Sequence, residues 1–305
     1  MLTCETYLTP ATLGQALAQW AAAPPGSRLL AGATDTLPWA RQGRAGDVHV
    51  PALVDVSKVA ELQDYEISGG RVRLGANLVM QQFLSDETLR AHLPCMPHCA
   101  IWFADDQIRE QATLVGNIVN ASPAADGTPP VLAMNGTIEL ARLAGGAVTR
   151  RSLAVSDFVT GPGTTMLADD EIVTAVECDS MTGYGGAFEK VGQRRSLVIS
   201  TVCTACLVKP SADGTAFADV RLAIGGVGPV PLRLGHIEDF LRNRPVTRDN
   251  LRQASQMTGG LVNSRTRQAY RGTVLAGFIE RALEDALADC GIKIPPVAVT
   301  EAANA

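Results

Sequence analysis

No apolar run in this chain approaches the roughly 20 residues that a membrane-spanning helix needs. Lysine and arginine form no run, and the formal net charge is -5, which argues against non-specific nucleic-acid binding. The opening "MLTCETYLTPATLGQAL" lacks the basic start and long apolar middle of a secretory leader, so a soluble cytoplasmic protein is expected. Histidine is scarce. His49, His92, His98 and His236 are all there are, and none stands in a recognisable nucleophile–base pattern with Ser or Cys. The seven cysteines are an odd number, which fits reduced thiols better than a disulfide framework.

Two cysteine spacings test for a metal. "CMPHC" puts Cys95, His98 and Cys99 close together, and "CTAC" puts Cys203 and Cys206 three apart. The second lies in "SLVISTVCTACLVKP", an apolar, β-branched run that reads as a strand. Strand side chains alternate faces, so Cys203 and Cys206 point opposite ways and share no metal without a bend. Buried thiols are the expected reading, and no metal ligands are assigned.

What is present divides into two halves. "TPATLGQALAQWAAAP" carries Leu13, Ala16, Leu17 and Trp20 at helical spacing and reads as an amphipathic helix. "SRLLAGATD", "ALVDVS" and "DEIVTAVECDS" read as strands, "GGRVRLGANLVM" as a strand turning into a helix, and "NGTIELARLAGGAVTRRSL" as a hairpin. The second half holds a few long antiparallel strands, in "GGAFEKVGQRRSLVISTVCTACLVKP" and "TAFADVRLAIGGVGPVPLRL", and then only helices. The join falls near Asp179 to Gly186. The tail "IPPVAVTEAANA" has little to bury and is expected to be mobile.

Two turns stand out for thinness. "AGATD" ends a strand with Gly32, Ala33, Thr34 and Asp35, and "QATLVGNIVNASPAAD" carries no charge between Thr113 and Ala125. Glycine lets a ligand approach the backbone, and small residues at strand-to-helix turns expose N–H groups that cradle phosphates. Together the turns suit a diphosphate held by amides and hydroxyls, with Asp126 placed to accept from a ribose hydroxyl.

In family order, "AGATD", "QIREQATLVGN", "SPAAD", "LVDVSKVAEL", "VRLGA", "FEKVGQRR" and "SRTRQAYR" run through roughly residues 5 to 290. The chain resembles the FAD-binding medium subunit of the molybdenum hydroxylases, the group containing xanthine dehydrogenase and carbon monoxide dehydrogenase. The patterns matched are A-G-G-S/T-D/E, Q-I/V-R-x-x-A-T-L/I-G-G-N and S-P-x-x-D. The resemblance implies an α+β fold. A two-part, mixed α/β FAD-binding domain of PCMH type covers 1–178. A C-terminal antiparallel sheet with helices, of the carbon monoxide dehydrogenase flavoprotein type, covers 179–290, ahead of a mobile tail at 291–305.

By the same resemblance, Leu29, Leu30, Ala31, Gly32, Ala33, Thr34, Asp35 and Thr36 wrap the pyrophosphate of a non-covalent FAD. Ala112, Thr113, Gly116, Asn117 and Val119 form the second loop, and Val173 completes the set. Asp126 holds the adenosine ribose, Phe103, Ala104 and Ile108 line the flavin side, and Lys190 sits near the polar edge of the isoalloxazine. A cation there stabilises an anionic reduced ring. Two residues depart from the pattern. Ala33 and Val115 stand where the family has glycine, and a Cβ at positive φ costs about 1 kcal/mol or more.

The function implied is electron transfer. A large partner subunit carries the molybdenum cofactor, a small one carries two [2Fe–2S] clusters, and this subunit's FAD delivers electrons to NAD+, oxygen or another acceptor, in a dimer of heterotrimers. The inserted cysteine-rich loop that carries an extra iron–sulfur cluster in part of the family is missing between Pro123 and Gly145. No catalytic residue is assigned. Two alternatives stay open: a self-contained flavoenzyme, with His98 the one candidate base, or an assembly protein that has lost FAD, suggested by Ala33 and Val115.

Overall fold

The computed structural model describes residues 1–41, 48–262 and 266–294. Its first layer is a parallel sheet, β1 (Leu2–Leu8), β2 (Arg28–Leu30) and β3 (Val48–Asp55), in the order β1-β3-β2. Parallel strands of one sheet need crossover connections, and α1 (Leu13–Ala22) links β1 to β2, the two strands that flank β3. Thr12 caps α1 by accepting from Gln15 N at 3.2 Å, and the helix buries Leu13, Ala16 and Leu17 on one face. A short helix, α2 (Thr36–Arg41), follows β2.

The second sheet is wholly antiparallel. It comprises β4 (Tyr65–Ser68), β5 (Arg71–Gly75), β6 (Thr137–Ala144), β7 (Ala147–Ala154) and β10 (Ile172–Asp179), in the order β4-β5-β10-β6-β7. The central β10 is buried almost throughout, as "IVTAVECD" suggests, and its register with β6 slips between Val173 and Ala175. Between β5 and β6 the chain makes six short helices: α3 (Gln82–Ser85), α4 (Glu87–His92), α5 (Cys95–Trp102), α6 (Asp106–Arg109), α7 (Leu114–Val119) and α8 (Thr128–Ala133). A further turn of helix, α9 (Val155–Phe158), and a small hairpin, β8 (Val159–Gly161) with β9 (Thr164–Thr165), lead back to β10.

The third sheet is antiparallel, in the order β11 (Gly185–Val191), β12 (Val202–Pro210), β13 (Phe217–Gly225) and β14 (Leu232–Arg233). Three helices follow: α10 (Gly235–Leu241), α11 (Arg248–Gln256) and α12 (Gln268–Asp289). This sheet separates two apolar cores. Cys203, Ala205 and Leu207 of β12 join the large core of the first half, while Val202, Cys206 and Val208 pack with the helices behind. Cys203 and Cys206 thus lie in different cores, as the alternation of strand faces predicts. A Cβ on Gly186 would lie 2.3 Å from the Pro94 carbonyl carbon, and one on Gly185 would lie 2.0 Å from Ala286 O. Strand β11 therefore runs between α5 and α12 with no space for side chains at these two places.

The long strand reading of "GQRRSLVIS" is corrected. Gly192 to Thr201 leaves the sheet. Arg194 Nε donates to Leu197 O at 3.0 Å, Leu197 adopts φ 51°, and Ser196 Oγ donates to Ala104 O at 3.0 Å. These local bonds replace a ladder, and they leave Leu197 and Ile199 exposed. Of the expected tail, 291–305, residues 295–305 lie outside the described residues, while Ile292 and Ile294 pack against the core behind the third sheet. Among the described residues no helix is long and apolar enough to cross a membrane.

Candidate functional site

The two thin turns face each other across a cleft. Residues 29–36 form one wall, and Ala112, Thr113, Val115, Gly116, Asn117, Val119 and Asn120 form the other. Val56, Ala76, Asn77, Leu167, Ile172 and Val173 close the inner side, with Phe103 at the edge. The space, open mouth included, is about 920 Å³, within the range of cofactor sites.

The first wall is pinned by packing. A Cβ on Gly32 would lie 1.9 Å from Gln111 O, so glycine is required because the second loop passes directly against it. Gly32 itself does not sit at positive φ; its neighbour Ala33 does, at 54°. The strain expected of Ala33 is therefore present, at a cost of about 1–2 kcal/mol. The amides of Gly32, Ala33 and Thr34 donate to no carbonyl or side chain among the described residues. Such N–H groups, gathered in one turn beside an open cleft, suit an anion.

The second wall is held by its own side chains. Thr113 caps α7, its Oγ1 accepting from Gly116 N at 2.9 Å. Asn117 Oδ1 accepts from Gly127 N at 2.9 Å, which ties α7 to the "SPAAD" turn. Asn120 Nδ2 donates to Asp35, linking the two walls. Val115 is helical and buried, so the strain expected there is corrected. Its side chain packs in the core, and its φ is not positive.

Among the described residues, no Lys, Arg or His lines the cleft. A diphosphate here meets neutral amides and the hydroxyls of Thr34, Thr36 and Thr113, with Asp35 the one charged residue among the described lining. FAD, the group the resemblance implies, fits these donors and the apolar inner wall.

Four expected cofactor residues do not line the cleft. Asp126 and Lys190 pair with each other. Lys190 Nζ donates to Asp126 Oδ2 at 2.6 Å, and Ser200 Oγ takes the other carboxylate oxygen at 2.5 Å. Their side chains are 9% and 3% exposed, so neither is free to meet a ligand in this arrangement. Burial pushes the Asp126 carboxyl upward, while Lys190 opposes that shift. Lys190 Nζ also donates to Trp102 O at 3.1 Å, so it braces the turn that presents Phe103. Arg109 braces the same turn from beneath, donating to Phe103 O at 2.9 Å. Ala104, at φ 45°, lines a separate shallow pocket with Trp102 and Arg195, and Ile108 packs against the large core.

His98 lies apart from the cleft, beside Glu189, Arg281 and Asp285. There burial and the neighbouring Asp285 push the Glu189 carboxyl up to about 7.

One polar residue of the inner wall is absent from the sequence reading. Asn77 is buried, donates from Nδ2 to Val56 O at 2.7 Å and holds Oδ1 without a partner. A buried acceptor left unmet costs about 1–3 kcal/mol. The sequence signal was slight: a polar residue in the otherwise apolar stretch that follows "VRLG".

A loop with free amides facing a capped second loop, a cleft with no cation among its described lining residues and an apolar inner wall define a flavin-dinucleotide-binding protein. The family model for the FAD-binding domain in molybdopterin dehydrogenase matches residues 3–178, and that for the C-terminal domain of CO dehydrogenase flavoprotein matches residues 187–286. The chain belongs to this family of FAD-binding subunits of molybdopterin dehydrogenases.

The chain is 29% identical to the xanthine dehydrogenase FAD-binding subunit of Escherichia coli O157:H7, over 96% of this chain and 100% of that protein. It is 25% identical to the carbon monoxide dehydrogenase medium chain of Hydrogenophaga pseudoflava, over 93% of this chain and 97% of that one. Its fold matches a solved Cu,Mo-CO dehydrogenase with a TM-score of 0.85 at 23% identity, covering 95% of this chain and 99% of that one.

Proposed function

We propose that this chain is the electron-transferring flavoprotein subunit of a heteromeric, cytoplasmic molybdenum hydroxylase. In this reading a small [2Fe–2S] partner supplies electrons, a large molybdenum-cofactor partner oxidises the organic substrate, and NAD+, oxygen or another acceptor takes the electrons. Two copies of the three-subunit unit make the complete assembly. The bound FAD supplies the step between single-electron and two-electron carriers. The chain's own residues hold it. Gly32, Ala33 and Thr34 offer amides to the pyrophosphate, Thr113 and Gly116 set the facing wall, and Lys190 and Arg109 brace Phe103 at the edge.

The observation that carries the reading is the cleft itself, which offers binding groups and no acid–base pair. The described residues bring together no group of three His, Cys, Asp or Glu able to hold a metal ion. His98, the one base a self-contained flavoenzyme could use, lies outside the lining of the cleft, which weighs against that alternative. Partner contact is assigned to the surface around Arg195, where Ile101, Trp102, Leu197 and Ile199 are exposed. Arg194 is folded onto its own loop. Replacing Arg194 and Arg195 by Glu should weaken assembly with the iron–sulfur subunit and spare FAD content.

Purification under mild conditions, with an absorption spectrum, tests the whole. A yellow protein that co-purifies with two partners and is inactive alone supports the reading. Substrate hydroxylation by the isolated chain would overturn it. Acid denaturation should release all flavin to the supernatant, since no His or Cys lines the cleft for attachment.

A further inference from the structure

The inner wall of the cleft is more buried than its mouth. Val56, Ala76, Asn77, Ile172 and Val173 are all buried, whereas Phe103, Thr34 and Asn117 are only partly so. The wall is one continuous surface. Ala76 N donates to Thr174 O at 3.0 Å beside Val173, and Asn77 reaches Val56 through its side chain. All its side chains are apolar but one.

The orientation of that one is determined. Asn77 N donates to Leu62 O at 2.8 Å, which anchors the backbone. The Val56 carbonyl can only accept, so the side-chain nitrogen must face it. Oδ1 is therefore left buried with no partner, on a residue that lines the cleft. Buried polar groups in folded proteins are almost always paired, and an exception calls for an explanation.

We propose that Asn77 selects the adenine end of the dinucleotide, its Oδ1 accepting a hydrogen bond from the adenine 6-amino group. This rests on the reading of the cleft as the FAD site and deepens it. The pyrophosphate has no donor to offer. The redox ring must lie where a partner protein can exchange electrons with it, which is the mouth and not the buried wall. A flat heteroaromatic ring with an amino group on its rim matches an apolar wall bearing one acceptor. Asn77 is thus a specificity-determining residue that touches the cofactor and takes no part in the redox step.

The test uses the apoprotein of the full chain, titrated with FAD and with flavin hypoxanthine dinucleotide, followed by the change in flavin fluorescence. The analogue carries a carbonyl where adenine has its amino group, so two acceptors would meet at Asn77. Wild type should bind the analogue about tenfold more weakly or worse, the scale of a buried acceptor left without its donor. Asn77→Leu should bind FAD about tenfold more weakly and no longer discriminate between the two. If Asn77→Leu fails to fold because Val56 O loses its donor, the wild-type comparison decides alone. Equal wild-type affinity for the two dinucleotides would overturn the inference and leave the FAD assignment standing. Apoprotein that bound neither would overturn both.

Discussion

The two walls of the cleft treat their polar groups in opposite ways. In residues 29–36, three successive amides have no partner among the described residues, and Ala33 is held at φ 54°. Across the cleft, Thr113 caps its own helix and Asn117 is tied to Gly127. The first loop leaves its donors unpartnered, and a Cβ at Gly32 has no space because the second loop passes against it. The second loop is scaffold, anchored further along by the Lys190–Asp126 pair. Binding capacity and rigidity are thus divided between two short segments of similar composition. Composition alone gives no hint of which has which role.

The largest expected effect comes from the anchor. Lys190→Met leaves Asp126 buried and unpaired, and should lower unfolding free energy by about 3–5 kcal/mol. The double variant Lys190→Met with Asp126→Leu should recover much of that loss in chemical denaturation. Failure of the second change to compensate would show that Lys190 acts on something other than Asp126.

Next comes the contact between the walls. Gly32→Val must displace the Gln111 backbone, at an expected cost of about 1–3 kcal/mol. Flavin should be lost in parallel, because the free amides no longer converge. A variant of wild-type melting temperature and flavin content would break the claim that the loops hold each other.

Gly116→Val is expected to be milder in stability and equally severe in binding. Its Cβ would lie 2.9 Å from Thr113 Oγ1, so the cap must shift. A disturbed cap costs about 1 kcal/mol. Flavin-to-protein absorbance ratios should show a largely empty protein with near-normal circular dichroism. Full occupancy would mean that this wall does not approach the cofactor.

The smallest effect sharpens the comparison instead of breaking it. Ala33→Gly relieves the left-handed strain but frees the unfolded chain, so the net change in stability should be below about 1 kcal/mol. FAD affinity should stay level or rise, since the amides are kept. A marked fall in affinity would show that the strain itself shapes the site.

Much of this organisation was legible in advance, and the reasons differ by element. Helix α1 could be read from Leu13, Ala16 and Leu17 and its Thr12 cap, which are local features. The opposite placement of Cys203 and Cys206 followed from strand alternation alone, and they lie in separate cores. The exposed loop at Ser196 to Ile199 was misread as strand because β-branched residues there carry that propensity. Bonds to Ala104, some 92 positions away in the chain, override it. Val115 was misjudged because a glycine pattern was taken as a demand on φ. In fact α7 begins one residue earlier and gives Val115 an ordinary helical backbone.

By itself, the sequence determined the kind of protein this is. Small residues and hydroxyls at two turns, and the absence of charge from Thr113 to Ala125, are properties of the residues themselves, and they persist in any fold that brings the turns together. Only the tertiary structure decided which polar groups are spent and which are free. Asp126 looks available in "SPAAD", yet Lys190, 64 positions later, takes its charge. Asn77 looks like an ordinary polar residue after a strand, yet it lines the cleft and holds a buried, unmet acceptor. Whether a donor or acceptor is satisfied depends on partners brought in by long-range packing, and no local pattern reports them.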